Sequence, residues 1–206
     1  MSAGWRSISP ADLPTALADW LAVTSGIVRV AIDGPACAGP GTLADALVEP
    51  LRARGGPVAH VPAAAFWHDA SLRLEHGHED AESFVSWLDA GALRREVLDP
   101  IVDRGEYLPS LRDPATNRST REPARAAEPS TVLVVSGELL LGLGLPFDRV
   151  IHLSMSPAAR TRHTAADQAW TLPAFSDYDA TVDPAALADV VVKLEDPRHP
   201  AVRGLP

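Results

Sequence analysis

The sequence predicts an α/β fold: a parallel sheet of about five strands flanked by helices, with a reduced lid. Three observations carry this. Short β-branched and apolar runs recur along the chain (VRVAID, PVAHVP, TVLVVSG, RVIHLSM, DVVVKL). Continuous apolar runs of that kind suit strands covered on both faces. Segments with apolar residues at helical spacing alternate with them. Gly, Pro and Asp cluster at the junctions, as in Gly55-Gly56, where a chain must turn.

Taken in order, residues 10–24 carry Leu13, Leu17, Trp20 and Leu21 at helical spacing, so an N-terminal helix lies within residues 1–25. The first strand covers about 27–33. A helix follows over about 41–54 and stops at Gly55-Gly56. The second strand covers about 57–62. Residues 63–80 read as irregular and hold His68, His76 and His78. A helix over about 81–103 presents Phe84, Trp87, Leu88, Leu93, Val97, Leu98 and Ile101 on one face, with Pro100 kinking or ending it. Residues 105–130, rich in Pro, Arg, Ser and Thr, read as a long surface connection. Strands at 131–137 and 149–155 follow, then a helix at 157–169, a loop-like stretch at 170–185 and a last strand at 189–194. The 206 residues are read as one domain over 1–206, with residues 156–185 as the reduced lid.

Composition narrows the function classes. The chain is 46% hydrophobic, enough for a sizeable core, and its formal net charge is −9, which excludes nonspecific nucleic-acid binding. Cys37 is the one cysteine, so an intrachain disulfide is excluded and a reducing cytoplasm is expected. The N-terminus has no basic segment leading into an apolar core, so no signal peptide is expected. The apolar run Val132–Leu145 is interrupted by Ser136, Glu138 and glycines; it reads as strand and turn and not as a membrane span. Lys193 is the single lysine, within the last strand.

The densest signal is VRVAIDGPACAGPGTLADAL (28–47). A strand leads to Gly34, then four residues, Gly39, and a helix start. This is the layout of a loop that cradles phosphates on backbone amides, whose pattern is G-x-x-x-x-G-K-[ST]. Pro40 stands at the lysine position and Gly41 at the position of the magnesium-binding hydroxyl. Proline brings no charge and removes a backbone donor. Gly34, Pro35, Ala36, Cys37, Ala38, Gly39, Pro40, Gly41 and Thr42 are the candidate phosphate-loop residues. Thr42, one residue late, could supply a hydroxyl only through a slip of register.

These motifs together resemble the uridine kinase-like branch of the P-loop kinases over most of the chain. RVAIDGPACAGPGTLADAL resembles the family's opening. LDAGALRREVLDPI (88–101) resembles the helix after its substrate-binding segment. TVLVVSGELLL (131–141) and ADVVVKLEDP (188–197) resemble its third and terminal strands. The resemblance implies a P-loop kinase fold, a nucleoside-like ligand, and ATP with Mg²⁺ as cofactors of an active member. It also implies that Asp33 orders the loop.

The departures run in one direction. Ala64-Ala65 stand where the family carries an acidic pair, and Ser136 where it ends a strand on a carboxylate. The lid stretch AARTRHTAADQAW offers Arg160 and Arg162 toward the phosphates and then turns neutral or acidic. Lysine, metal hydroxyl, base and strand-end carboxylate are altered together, which argues against efficient phosphoryl transfer. Glu138 is the nearest carboxylate to stand in for the lost one; Asp113, with Arg112, would lie near a substrate pocket or on the surface.

Three functions follow. The first is a kinase-like protein without efficient catalysis, acting through a small-molecule ligand, a protein partner or a second copy of itself. The second is an active nucleoside kinase with an atypical loop, using Thr42, Glu138 and the lid arginines. The third is a repurposed pocket, in which His76, His78 and Asp80 could hold a transition metal or form a solvated loop. Cys37 reads as a packing residue or a reactive thiol. Trp67 and Trp87 read as core or pocket wall.

Overall fold

A computed structural model describes residues 4–206. Its centre is one sheet of seven strands: β1 (Arg6–Ser7), β2 (Val28–Asp33), β3 (Val58–Pro62), β4 (Val132–Gly137), β5 (Arg149–Ser154), β6 (Val190–Lys193) and β7 (Ala201–Arg203). The spatial order is β1-β7-β6-β5-β2-β4-β3. The five from β6 to β3 are parallel, as the apolar runs predict; β7 and β1 add an antiparallel edge. That edge escapes a sequence reading because each strand is only two or three residues long.

The pleat decides which side chains reach which layer. Val28, Val30, Ile32, Val132 and Val134 point to the face covered by helices α1 (Leu13–Leu21) and α2 (Pro40–Arg52), where they meet Leu17, Leu43 and Leu47. Ala31, Leu133 and Val135 point to the opposite face, against Phe66, Leu93, Ile101 and Phe175. The same alternation sends Ser136 and His60 toward α2, and Asp33 and His152 to the other side. In register, Asp33 lies between Gly137 and His152, at the carboxyl ends of β4, β2 and β5. Ligand sites of open parallel sheets form at such ends.

The expected helix at 81–103 is a broken series. It comprises α4 (Ala81–Phe84), α5 (Ala90–Leu93), a π-turn at Arg94–Leu98 and α6 (Asp99–Asp103). Between α4 and α5 the backbone makes short local turns and also bonds to residues 66–68: His68 N donates to Trp87 O (2.8 Å) and Asp89 N to Phe66 O (2.9 Å). Asp89 then caps a fresh helix by accepting from Ala92 N at 2.7 Å. Pro100 has no N–H, and the Glu96 carbonyl it would have served accepts from Leu108 N at 2.9 Å.

The stretch expected as loop at 170–185 holds α8 (Leu172–Thr181) and the short helix α9 (Pro184–Leu187). Pro173 sits in the first turn of α8, where a missing N–H costs little. Ala174, Phe175 and Tyr178 form its buried face. The expected helix at 157–169 is shorter, α7 (Pro157–His163), followed by a 3₁₀ turn. Within 63–80 lie a 3₁₀ turn and α3 (Ala70–Arg73). The connection at 105–130 contains two small antiparallel ribbons, Glu106–Tyr107 with Arg125–Ala126 and Arg112–Asp113 with Arg118–Ser119. No helix among the described residues is long and apolar enough to cross a membrane.

Candidate active site at the glycine loop

Gly34 follows β2, and its N–H donates to Gly137 O on β4 at 3.1 Å. A Cβ on Gly34 would lie 2.7 Å from Leu153 Cβ and 2.9 Å from the Leu153 carbonyl oxygen, so close backbone approach requires glycine here. Ala36–Ala38 make a 3₁₀ turn, and Gly39 turns the chain into α2 in the left-handed conformation (φ 74°, ψ 50°). Pro40 takes the first helical position, which favours proline. The strand, loop and helix N-terminus expected from the sequence are therefore assembled.

What faces the loop is an acid. The Glu138 carboxylate accepts the Ala36 N–H at 2.8 Å, so one backbone donor of the cradle is already satisfied. Burial pushes the Glu138 carboxyl up to about 7; the Ala36 hydrogen bond opposes this and the charge of Asp33 adds to it. Leu139, which follows, has a left-handed backbone (φ 56°), and this turn brings Glu138 back over the loop. A cavity of about 280 Å³ lies alongside, bordered by Ala36, Gly39, Pro40, Gly41, Thr42, Pro62, Ala64, Trp67, Ser136, Gly137 and Glu138. Glu138 is the ionisable side chain in that wall, and lysine and arginine are absent from it.

The corner between α2 and β4 is neutral and polar. Gly41 has room: a Cβ there would stand 3.9 Å from Ser136 Oγ. The Ser136 hydroxyl is 2.8 Å from His60 Nε2, and His60 Nδ1 is 3.0 Å from Asp45 Oδ1 on α2. Sequence reasoning missed His60 and Asp45. The available signal was a histidine on the α2 face of β3, at the parity that Ser136 shares.

Asp33 is fully buried on the opposite face. It accepts from Leu140 N (2.9 Å) and Tyr178 Oη (3.2 Å) and lies 2.8 Å from His152 Nδ1. It thus anchors the turn that carries Glu138. Burial, and then the charge of Asp33, push the Tyr178 hydroxyl far above its ordinary range, so it acts as a neutral donor.

The lid arginines are directed elsewhere. Arg160 is buried, with Nη2 2.6 Å from Asp179 Oδ2 and its guanidinium over the Phe175 ring. Arg162 is exposed and reaches the Glu195 carbonyl at 3.5 Å. His163, Thr164 and Gln168 border a second cavity of about 250 Å³ beside Glu138 and Pro35. Asp113 accepts from Ala115 N (2.9 Å) and Thr116 N (3.3 Å), which holds a turn and lowers its carboxyl below the usual range.

His76 and His78 are exposed, and Asp80 accepts from Glu82 N at the start of α4. Among the described residues no group of three or more His, Cys, Asp or Glu side chains is placed to hold a metal ion. Cys37 is half-buried, 3.7 Å from Met155 Sδ, and accepts from Thr164 Oγ1 at 3.5 Å. Lys193 is exposed and 4.0 Å from Glu195. Trp67 borders the loop cavity, and Trp87 is buried in an edge-to-face cluster with Phe84. Arg73 lies over both tryptophan rings.

Solved structures share this fold. A protein described as a possible uridine kinase from Bacillus stearothermophilus superposes with a TM-score of 0.69, over 87% of this chain and 98% of its own, at 21% identity. A proposed fructose transport system kinase from Silicibacter sp. TM1040 gives a TM-score of 0.56, over 88% of this chain and 95% of its own, at 20% identity. No protein-family model matches the chain, and no curated protein matches it. The chain is a P-loop kinase-like α/β protein by fold.

Proposed function

We propose that this chain uses a nucleoside- or sugar-kinase scaffold to bind a small molecule, without efficient ATP-dependent phosphoryl transfer. Its role is then ligand binding, regulation or assembly with a partner. The observation that carries this reading is Glu138 on the Ala36 N–H, in a cavity wall without lysine or arginine. A triphosphate entering the loop must displace that carboxylate or share the cradle with it. Above about pH 7, where Glu138 is ionised, two unit charges 4 Å apart near a protein surface repel by about 4 kcal/mol, close to a thousandfold in affinity; below that pH the protonated carboxyl repels far less. The residues present do not fit Mg²⁺ with a triphosphate. The hydroxyl position is Gly41, the strand-end position is Ser136, and the lid arginines are engaged with Asp179 and Glu195. A second reading, an ATP-dependent nucleoside kinase with an atypical loop, draws support from Thr42, which borders the same cavity as Glu138.

Calorimetry with ATP and Mg²⁺ on the native protein and on the Pro40→Lys/Gly41→Thr variant separates the two. The proposal expects no heat of binding from the native protein and measurable binding by the variant. Micromolar binding by the native protein, followed by uridine phosphorylation, would overturn it.

A further inference from the structure

At one corner of the loop a nucleophile, a base and an orienting carboxylate stand in a single hydrogen-bonded line. Ser136 Oγ is 2.8 Å from His60 Nε2, and His60 Nδ1 is 3.0 Å from Asp45 Oδ1. A carboxylate only accepts, so Nδ1 carries the ring proton. In the neutral ring Nε2 then offers its lone pair, and the Ser136 hydroxyl donates to it. This is the polarity that lets a serine lose its proton as it attacks. Ser136 is buried, His60 half-buried and Asp45 largely exposed.

The surroundings supply the other requirements of acyl transfer. Ser136 forms part of the cavity wall with Gly41, Thr42, Pro62 and Trp67, so its hydroxyl borders space for a ligand. The first turn of α2 adjoins it. Among the described residues nothing accepts the N–H groups of Gly41 and Thr42, and no side chain caps this 13-residue helix. Free amides and the positive end of a helix dipole stabilise an oxyanion that forms beside the serine. Charge then selects the substrate. Glu138 in the same wall, where ionised, disfavours phosphate esters and other anions, and the volume of about 280 Å³ limits size.

We propose that Ser136 and His60 form an acyl-transfer site for small, uncharged carboxylic esters, with Asp45 as the positioning residue. Ser136 Oγ bonds to the ester carbonyl carbon and its proton passes to His60 Nε2. The C–O bond to the alcohol then breaks, and His60 returns the proton to the departing oxygen. Water, deprotonated by His60, cleaves the acyl-serine, releases the carboxylic acid and restores the hydroxyl. No oxidant, reductant or nucleotide is consumed, so the proposal stands apart from the nucleotide question.

The test is covalent labelling of the full chain with a short-chain alkyl fluorophosphonate, in which the serine oxygen displaces fluoride from phosphorus. Intact mass and peptide mapping should find one adduct, on Ser136, that Ser136→Ala abolishes. His60→Gln should slow labelling by about 10²–10⁴-fold. Asp45→Ala should slow it about five- to tenfold, and Asp45→Glu, which keeps an acceptor-only carboxylate for Nδ1–H, should restore part of that loss. Hydrolysis of p-nitrophenyl acetate should rank the variants in the same order. Circular dichroism and melting curves check that each variant is folded, and the native protein decides the matter if any is not. Folded native protein without an adduct on Ser136 overturns the proposal, as does labelling of His60→Gln at the native rate.

Discussion

Replacing Glu138 with glutamine should stabilise the protein above pH 7 and leave its stability nearly unchanged below about pH 4. The folded protein holds the Glu138 proton to about pH 7, against an ordinary value of 4.5. The folded-state value is raised, so this group's contribution is fully present below 4.5 and is lost as pH rises through about 7. One pH unit of difference corresponds to about 1.4 kcal/mol, which puts the upper bound at about 3.5 kcal/mol. Glu138 keeps part of its solvent exposure, so about 2 kcal/mol is expected. In a chain of this length that is about 4–8 °C in Tm. Glutamine keeps a carbonyl oxygen for the Ala36 N–H and cannot ionise. Scanning calorimetry of both proteins from pH 4.5 to 8.5 reads the effect. The Tm difference should be smallest at pH 4.5, already present at pH 5, and grow to its full size by pH 8. A difference that stays constant across this range, or a variant less stable than native at pH 8, would refute the reasoning.

Two further perturbations probe the support beneath the loop. Asp33→Ala leaves the Leu140 N–H, the Tyr178 hydroxyl and His152 without their buried partner; it should cost about 3–5 kcal/mol, read as a lower urea midpoint. Gly34→Ala drives a methyl group against Leu153 Cβ and its carbonyl oxygen; about 1–3 kcal/mol should be lost in the same urea titration.

The sheet was legible because its strands are apolar on both faces, and the loop because glycine has few substitutes at Gly34 and Gly39. The long helix at 81–103 was misread for a physical reason. Its apolar residues keep helical spacing, but the break depends on backbone bonds to residues 66–68, distant partners that no local pattern encodes. The α8 helix was missed because its buried face is small, Ala174, Phe175 and Tyr178, and the rest of the segment is polar. At the site, the loop follows from spacing along the chain, while the approach of Glu138 to Ala36 depends on the left-handed turn at Leu139. Asp45, His60 and Ser136 come from three separate elements, and strand parity alone does not show that their side chains meet. The arginines of the expected lid show the opposite failure. Their positions suggested a phosphate clamp, and Asp179, which draws Arg160 away, lies on a helix that the sequence reading left as loop.

The two polar clusters at the loop lie on opposite faces of one sheet, and a single turn joins them. Asp33 grips that turn from one side through Leu140 N, and Glu138 extends from it to the Ala36 N–H on the other. Asp33 therefore acts on the loop twice. It fixes where Glu138 sits, and its buried charge raises the cost of a second negative charge nearby. The consequence is an electrostatic filter at the carboxyl ends of the strands. Free amides at Gly41 and Thr42 attract a partial negative charge, while Glu138, once ionised above about pH 7, repels a full one. A carbonyl oxygen satisfies both conditions and a phosphate satisfies only the first. On the proposed reading, the same backbone that suits a phosphate cradle favours an uncharged carbonyl ligand above about pH 7, through the position of one carboxylate and the absence of one lysine.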